Sequence, residues 1–397
     1  MTDLATRPAP PLPRRAAPAL LGYAAVRALG LVALAVWSAA RDKSALTLLS
    51  ARWDSLWYTR VAELGYGYEV RLPNGDIHSN LAFFPLLPWL ERAVSAVTPL
   101  PYAHAGLVVG TLASFAAAWG IFAVADHVYG RRVGVCAVLL WAVLPVGIVQ
   151  SMAYTESLFT ALAAWSLYAV LTGRWVTAGA LAALAGLTRP VGLAVVAALW
   201  AAAIASYLRE RRHAPAPSSV RNRSAEASNG ARLWPRALGM LLAPLGAAGY
   251  VLWVGHRTGK GPLGYLDVQA GWRNGFDGGY AFARFVADKF TSFPSALAGV
   301  GLIIGVALVI WLYVVCVRQG QPLPLLVYAG VVTALALCAS SYFGSKPRLL
   351  MPAFPLLLPL ARALAGARTP RSATIVGAVG VASAVYGAFW LNGSGPP

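Results

Sequence analysis

The residues best suited to chemistry lie together in the segment 52–58, with the sequence RWDSLWY, shortly after the first long apolar stretch. This segment places one carboxylate, Asp54, beside three aromatic side chains where a spanning helix should leave the bilayer. An ionisable group beside an apolar medium is costly to desolvate and is often functional. We predict that Asp54 is catalytic and that Trp53, Trp57 and Tyr58 shape the substrate site. The alternative is an aromatic belt at the membrane surface around a solvated Asp.

Four further charged residues lie at the ends of apolar stretches, on the side of the membrane that we predict for Asp54. They are Glu156, Arg189, Lys346 and Arg348. Arginine grips phosphate oxygens through a rigid fork, so we predict that these residues bind substrate and that the cations contact a lipid phosphate. Glu156 could instead complement a helix dipole, and Arg189 could pair with Glu156 or anchor at the interface.

Glu63, His78 and Asn80 lie in the same predicted outer region and are weaker candidates. A carboxylate near cations suits sugar transfer from a polyprenyl phosphate. The carboxylate takes the proton of the acceptor hydroxyl, and the cations stabilise the phosphate that leaves. No cofactor is therefore expected, and the use of a divalent metal stays open.

The composition is that of a multi-pass membrane protein. Of the 397 residues, 58% are hydrophobic and only 12% are charged, and soluble domains are far less apolar. The net charge of +18 could indicate nucleic acid, but basic residues in membrane proteins usually encode orientation, so we expect no nucleic-acid partner. Cys136, Cys316 and Cys338 lie in apolar stretches without metal-ligand spacing, so we predict that they pack in the core and name no metal-ligating residue.

Apolar stretches long enough to cross a bilayer predict an all-α integral membrane protein with about eleven transmembrane helices. The predicted helices are 18–40, 103–126, 133–149, 155–172, 176–188, 190–208, 237–255, 295–317, 323–340, 349–366 and 373–391. Pro190 breaks the pair 176–188 and 190–208, as a kink or as a turn between two helices. The first helix is too long for a cleaved signal peptide, so we expect it to remain.

The predicted organisation has two bundles joined by a polar linker. Residues 1–17 form a cytoplasmic tail, 18–208 an N-terminal bundle with an outer loop at 41–102, 209–236 a cytoplasmic linker, and 237–397 a C-terminal bundle with an outer loop at 256–294. Lys and Arg are slightly more frequent on the inner side of this topology, which favours a cytoplasmic N-terminus. We therefore predict a protein of the cell membrane whose active site lies on the extracytoplasmic face, in the outer loops.

Several short motifs together resemble the PIG-V type of mannosyltransferase. They are the segment 52–58, Gly65-Tyr66, the segment 80–86 (NLAFFPL), the segment 154–159 (YTESLF), the segment 187–190 (LTRP) and Pro347-Arg348. They occur in the order that the family has, across roughly residues 50–360, and the C-terminal third matches more loosely.

This resemblance implies a fold of the C superfamily of glycosyltransferases (GT-C), a mannosyl donor on polyprenyl phosphate, inversion at the anomeric carbon and an essential acid that maps to Asp54. Glu156 and Arg189 match motif positions. Many members of the superfamily have two adjacent acids in the first outer loop, whereas Asp54 follows Trp53 and precedes Ser55, which leaves a second acid and metal use open.

The sequence thus predicts a mannosyltransferase that uses a polyprenyl-phosphate sugar donor and a glycolipid, glycan or protein acceptor. A flippase or other transporter for lipid-linked sugars also needs many spans and charges facing a lipid phosphate. Transporters often have two related halves with polar groups at the bilayer midplane. This chain has no evident repeat, and its polar groups gather on one side, which favours the enzyme over the transporter and over a membrane scaffold.

Overall fold

The computed structural model describes residues 12–212, 223–393 and 395. The described chain is mostly helical, because a backbone inside a bilayer must satisfy its hydrogen bonds within its own segment. In the first half the helices are α1 (Leu12–Ala39), α2 (Ala45–Ser50), α3 (Asp54–Leu64), α4 (Leu86–Val97), α5 (Tyr102–Tyr129), α6 (Arg131–Ala142), α7 (Thr155–Leu171), α8 (Trp175–Gly186) and α9 (Leu193–Arg212).

The second half continues in the same way. Its helices are α10 (Arg223–Leu242), α11 (Leu245–Thr258), α12 (Gly264–Gly271), α13 (Tyr280–Asp288), α14 (Ser295–Arg318), α15 (Leu323–Cys338), α16 (Lys346–Leu350), α17 (Leu358–Gly366) and α18 (Thr369–Leu391). Short 3-10 turns and two short antiparallel sheets lie between the helices of the described structure. Strand β1 (Glu69–Arg71) pairs with β2 (Ile77–Ser79), and β3 (Gly275–Phe276) pairs with β4 (Ala339–Ser340).

Six helical segments of the described chain are long and apolar enough to cross a membrane, and a seventh counts if a pair bent by 73° is one span. The six are Arg14–Ala39, Tyr102–Tyr129, Pro190–Arg212, Leu233–Thr258, Ser295–Arg318 and Thr369–Leu391, and the bent pair is Phe343–Leu350 with Phe354–Gly366. The helices α7, α8 and α15 are apolar but shorter. Every predicted segment overlaps a helix, but the prediction of about eleven spans is not confirmed.

The predicted helix 133–149 is wrong in its second half. Helix α6 ends at Ala142, and a separate 3-10 turn follows at Gly147–Ser151. Pro145 lies in the break, where proline cannot donate to a helix. The buried Arg27 of α1 donates to the carbonyl oxygens of Ala142 and Gly147, which satisfies backbone groups that the break leaves free.

Part of the predicted linker 209–236 is helical, since α9 continues to Arg212 and α10 begins at Arg223. Residues 213–222, like residues 1–11 of the predicted tail, lie outside the described residues. The corner before Pro190 is a break between two helices, α8 and α9. The division into two bundles remains a prediction.

The two segments predicted as outer loops meet on one side of the bundle. Tyr250 Oη shares its one proton between the carbonyl oxygens of Leu81, at 2.9 Å, and Phe83, at 2.8 Å. Trp272 Nε1 donates to the carbonyl of Ser79 at 3.0 Å. The Trp272 bond joins the segment 41–102 to the segment 256–294, and the Tyr250 bonds join the segment 41–102 to α11.

Candidate active site

Asp54 is the first residue of α3, and an unusual backbone turn places it there. Trp53, just before it, has φ of 52°, in the left-handed region that bulky residues rarely adopt. The Ser55 hydroxyl donates to the carbonyl of Arg52 at 2.6 Å and accepts from the Arg52 amide at 3.1 Å. This turn directs the chain into the helix, and a carboxylate in the first turn is stabilised by the amide dipoles there.

Glu156 has the same local placement, because it lies in the first turn of α7. Only 2% of its side chain is exposed. Arg189 lies in the break between α8 and α9 with φ of −161° and ψ of 154°, as the residue before a proline is biased to be extended. Arg348 belongs to the short helix α16, directly after Pro347. The acids therefore begin helices, while the arginines lie beside prolines.

The structure brings these four side chains into one row of alternating charge, hereafter the charge row. Arg348 Nη1 lies 2.7 Å from Asp54 Oδ2, and Arg348 Nε lies 3.3 Å from Glu156 Oε1. Arg189 Nη1 forms an ion pair with the same Glu156 oxygen. The ion pair of Arg189 with Glu156 was one of the alternatives drawn from the sequence, and it is present.

Exposure differs sharply along the charge row. The side chains of Arg348 and Glu156 are 8% and 2% exposed and that of Arg189 is 14% exposed, whereas Asp54 is 30% exposed. Two cations and two anions compensate one another, which burial requires, since an unpaired buried charge is very costly. Asp54 is therefore the end of the row that an incoming substrate can reach.

Two tyrosines and a threonine frame the charge row. The Asp54 amide donates to Tyr154 Oη at 3.4 Å, and the Arg348 guanidinium lies over the Tyr154 ring, 5.0 Å from its centroid. Tyr58 Oη and Thr155 Oγ1 are 3.1 Å apart. Burial raises the pKa of Tyr58 and of Tyr154, so both stay neutral hydroxyls. Tyr154 was not a candidate from the sequence, although its position two residues before Glu156 could have indicated it.

Lys346 is not part of the charge row. Its ammonium group donates to the carbonyl oxygens of Ala336 at 2.7 Å and Ala339 at 2.8 Å, where α15 ends. It also lies 4.8 Å from the ring centroid of Phe282. Free carbonyls at a helix C-terminus attract a cation, so Lys346 has a structural partner, and its predicted contact with phosphate has no geometric support here.

Trp57 is one turn from Asp54 and belongs to an aromatic cluster between the two loops. Its ring stacks on Phe83 at 5.6 Å between centroids and meets Trp272 edge-on at 4.8 Å. The His78 ring stacks on the Trp272 ring, with the two centroids 4.0 Å apart. Trp57 thus supports the surround of Asp54, and the pairing of His78 with Trp272 gives this histidine a packing role.

Two cations in the segment that leads into α3, Lys43 and Arg52, were not candidates from the sequence. Arg52 donates to the carbonyl oxygens of Leu391 and Gly393, both at 3.3 Å, and Lys43 donates to that of Asn392 at 2.7 Å. The guanidinium of Arg52 also covers the Trp53 ring at 4.2 Å, so Trp53 packs against its neighbour. These contacts fasten the C-terminal end of α18 to the segment that leads into α3.

The remaining weak candidates are accounted for locally. Asn80 accepts from the Gly67 amide and donates to the Gly65 carbonyl, both at 3.0 Å, which ties its loop together. The Glu63 side chain is exposed. Across the described residues, no three His, Cys, Asp or Glu side chains are grouped to hold a metal ion.

Comparison with known proteins identifies the fold. Residues 82–217, less than half of the chain, match the family described as dolichyl-phosphate-mannose-protein mannosyltransferase. No curated protein matches the sequence. The structure is similar to ArnT from Cupriavidus metallidurans bound to undecaprenyl phosphate, with a TM-score of 0.50, 16% identity and coverage of 87% of this chain and 60% of ArnT.

The apo form of the same ArnT gives a TM-score of 0.50 at 17% identity, with the same coverage of both chains. The oligosaccharyltransferase AglB from Archaeoglobus fulgidus, in complex with an inhibitory peptide and a dolichol phosphate, gives 0.45 at 11% identity, covering 94% of this chain and 56% of AglB. The chain therefore spans less than two thirds of the length of these proteins.

The protein is a multi-pass, mostly helical membrane protein with an ArnT-like fold. The GT-C superfamily that the sequence predicted is consistent with this fold and with the partial family match. The PIG-V family that the motifs predicted stays a prediction.

Proposed function

We propose that the protein transfers mannose from a polyprenyl-phosphate donor to an acceptor hydroxyl on the extracytoplasmic face of the cell membrane, with inversion at the anomeric carbon. The observation that carries this proposal is the charge row, which places a partly exposed carboxylate against an arginine that itself is paired deeper in the protein. The acceptor is a hydroxyl of a glycolipid, a glycan or a protein.

In the proposed reaction, Asp54 is the general base. Its carboxylate takes the proton of the acceptor hydroxyl while the acceptor oxygen forms a bond to the anomeric carbon. The bond from that carbon to the phosphate oxygen breaks, and the electron pair leaves with the lipid phosphate. Arg348 and, behind it, Arg189 stabilise the negative charge that this phosphate gains. A single displacement of this kind inverts the configuration.

The lipid carrier is proposed on two grounds. ArnT, whose fold this chain shares, has been crystallised with undecaprenyl phosphate, and the family that matches residues 82–217 is named for dolichyl-phosphate-mannose. Arginine also suits phosphate, because its planar fork matches two phosphate oxygens at once. Trp53, Trp57 and Tyr58 shape the surround of Asp54 in this proposal, and mannose is the proposed sugar from the motif resemblance.

The test is turnover by purified protein in proteoliposomes with a short-chain polyprenyl phosphate mannose and a membrane extract as acceptor pool. Asp54→Asn keeps the size of the side chain but removes the base, so release of the lipid phosphate should fall at least about 100-fold. Asp42→Asn removes an exposed carboxylate in the same segment and should leave the rate unchanged. Near wild-type release by a folded Asp54→Asn protein would exclude Asp54 as the base.

The transporter alternative predicts a different result in the same vesicles. A flippase moves the intact lipid-linked sugar across the bilayer without releasing lipid phosphate. Translocation of the donor with no phosphate release by the wild-type protein would therefore replace the transferase proposal.

A further inference from the structure

The charge row raises a problem for donor binding that the proposed function leaves open. Arg348 and Arg189 are the cations assigned to the lipid phosphate, yet both are already compensated by Asp54 and Glu156. Two positive and two negative groups in contact have no net charge to attract an anion. One of the two carboxylates must therefore give up its contact before a phosphate can bind to a guanidinium.

Burial identifies which carboxylate can leave. Glu156 contacts both arginines, and its side chain is 2% exposed, so moving it would strand a charge away from water. Within the described residues, the Asp54 carboxylate forms an ion pair only with Arg348, through Nη1, and the Asp54 side chain is 30% exposed. A carboxylate that rotates away from Arg348 at this position is rehydrated at once. The contact between Asp54 and Arg348 is thus the one in the charge row that breaks most easily.

Charge also matches in the exchange. A phosphodiester between a polyprenol and a sugar carries one negative charge, as the Asp54 carboxylate does. If the phosphodiester takes the place of Asp54 on Arg348, the buried part of the row keeps its balance, and Glu156 continues to hold both arginines in place. The guanidinium offers two parallel donors to phosphate oxygens, so the exchange loses no hydrogen bond.

We propose that, in the free enzyme, Asp54 occupies the place on Arg348 Nη1 that the donor phosphate takes, so that donor binding frees the catalytic carboxylate. This inference rests on the proposed function and adds to it a phosphate subsite and an order of events. While one oxygen of the Asp54 carboxylate is held on Arg348 Nη1, the carboxylate is not placed to meet an acceptor hydroxyl. Release of Asp54 by the donor therefore couples base activation to the presence of the sugar, and an acceptor alone meets an inactive base.

The inference makes an unusual prediction: removal of the proposed base should tighten binding of the phosphate. Binding of farnesyl phosphate, a short isoprenyl phosphate without a sugar, is measured by calorimetry on purified protein in detergent. Asp54→Asn should bind it about tenfold more tightly than the wild type, which corresponds to about 1.4 kcal/mol for one partly exposed ion pair. Asp54→Glu restores a carboxylate and should return the affinity toward the wild-type value.

A matched control separates local competition from a general change in charge. Asp42→Asn removes the same charge from the same segment, and Asp42 is exposed with no contact to Arg348, so its affinity should equal that of the wild type. Equal tightening in both variants, no tightening in Asp54→Asn, or no binding of farnesyl phosphate to either protein would overturn the inference. Size-exclusion profiles and unfolding temperatures establish that each variant is folded.

The two proposals fail separately. If Asp54→Asn loses turnover but binds farnesyl phosphate no more tightly, the competition is absent and the proposed function stands. If Asp54→Asn retains turnover, the base assignment fails whatever the binding result.

Discussion

Glu91 provides the sharpest physical test of the described structure, because it is a buried carboxyl without a partner. It lies in α4, its side chain is fully buried, and neither oxygen has a hydrogen-bond partner among the described residues. The helix α5 approaches it at Gly106, where an added Cβ would lie 2.5 Å from Glu91 Oε1 and 3.0 Å from the Ala153 methyl. Burial raises the pKa of Glu91 from 4.5 to about 9.

The size of the effect follows from proton linkage. Between pH 4.5 and about 9 the folded protein keeps the Glu91 proton that the unfolded chain has lost. The folded state thus binds more protons, so the free energy of unfolding falls as pH rises, by about 1.4 kcal/mol per pH unit and by about 6 kcal/mol across the window. The stabilisation from the neutral carboxyl is fully present below pH 4.5 and is lost as pH rises through about 9.

Glu91→Gln removes the ionisation while keeping nearly the same shape. The variant should match the wild type near pH 5 and unfold at a clearly higher temperature near pH 9, with the difference growing steadily between them. Thermal unfolding in nanodiscs at pH steps from 5 to 9 measures this difference. Glu63→Gln, at an exposed site in the same segment, should show no such growth. Parallel pH profiles for the wild type and Glu91→Gln would refute the burial of an unpaired carboxyl.

Three further predictions concern the buried charges and the helix contacts. Arg189→Gln should destabilise the protein by about 3–5 kcal/mol, because it takes a partner from buried Glu156, and thermal unfolding should show recovery when Glu156→Gln is added. Gly246→Ala should lower the unfolding temperature, because its Cβ would meet a carbonyl of α8, whereas Gly249→Ala in the same helix, with nothing within 4 Å, should not. Arg27→Met should lose two charge-assisted hydrogen bonds and speed hydrogen exchange of the break after α6; unchanged exchange would contradict this role.

Much of the candidate site could be predicted from residue type and position. Asp54, Glu156, Arg189 and Arg348 were all named from the sequence, and the structure joins them in one row. Each is a charge next to the end of an apolar stretch, and a charge in such a chain has few places where it is not costly. The sequence pattern therefore predicted the members of the charge row, and their role in catalysis stays a prediction.

The contacts between those members could not be predicted, because they depend on packing between distant helices. Lys346 and Arg348 had the same predicted role, since both flank Pro347. Only two positions along the chain separate the Arg348 guanidinium, 2.7 Å from Asp54, from the Lys346 ammonium group, which carbonyls at the end of α15 hold. Glu91 was not identified from the sequence for a related reason. It lies on a short apolar helix, and its burial depends on a glycine, Gly106, at the contact with the neighbouring helix α5.

The number of spans was harder to predict than the helices, because hydropathy does not fix length after a break. The stretch 133–149 is apolar throughout, yet α6 ends at Ala142. The break is tolerated because Arg27 from α1 donates to the freed carbonyls. The hydropathy of the segment 133–149 alone contains no information on such a partner. The irregular segment that follows this break leads to Tyr154, which lies beside the charge row.

The prolines beside both arginines explain how the site can form in an apolar bundle at all. Arg189 precedes Pro190, and Arg348 follows Pro347. A proline ends or begins a helix, so each guanidinium lies at a helix terminus, where it can turn toward another chain segment. The two acids also lie at helix ends, because Asp54 and Glu156 lie in the first turns of their helices. Four helix ends thus converge at one side of the bundle. Each carries a charge opposite to that of its neighbour, so the charge row can be buried. Asp54, at the exposed end of the row, stays free to exchange partners.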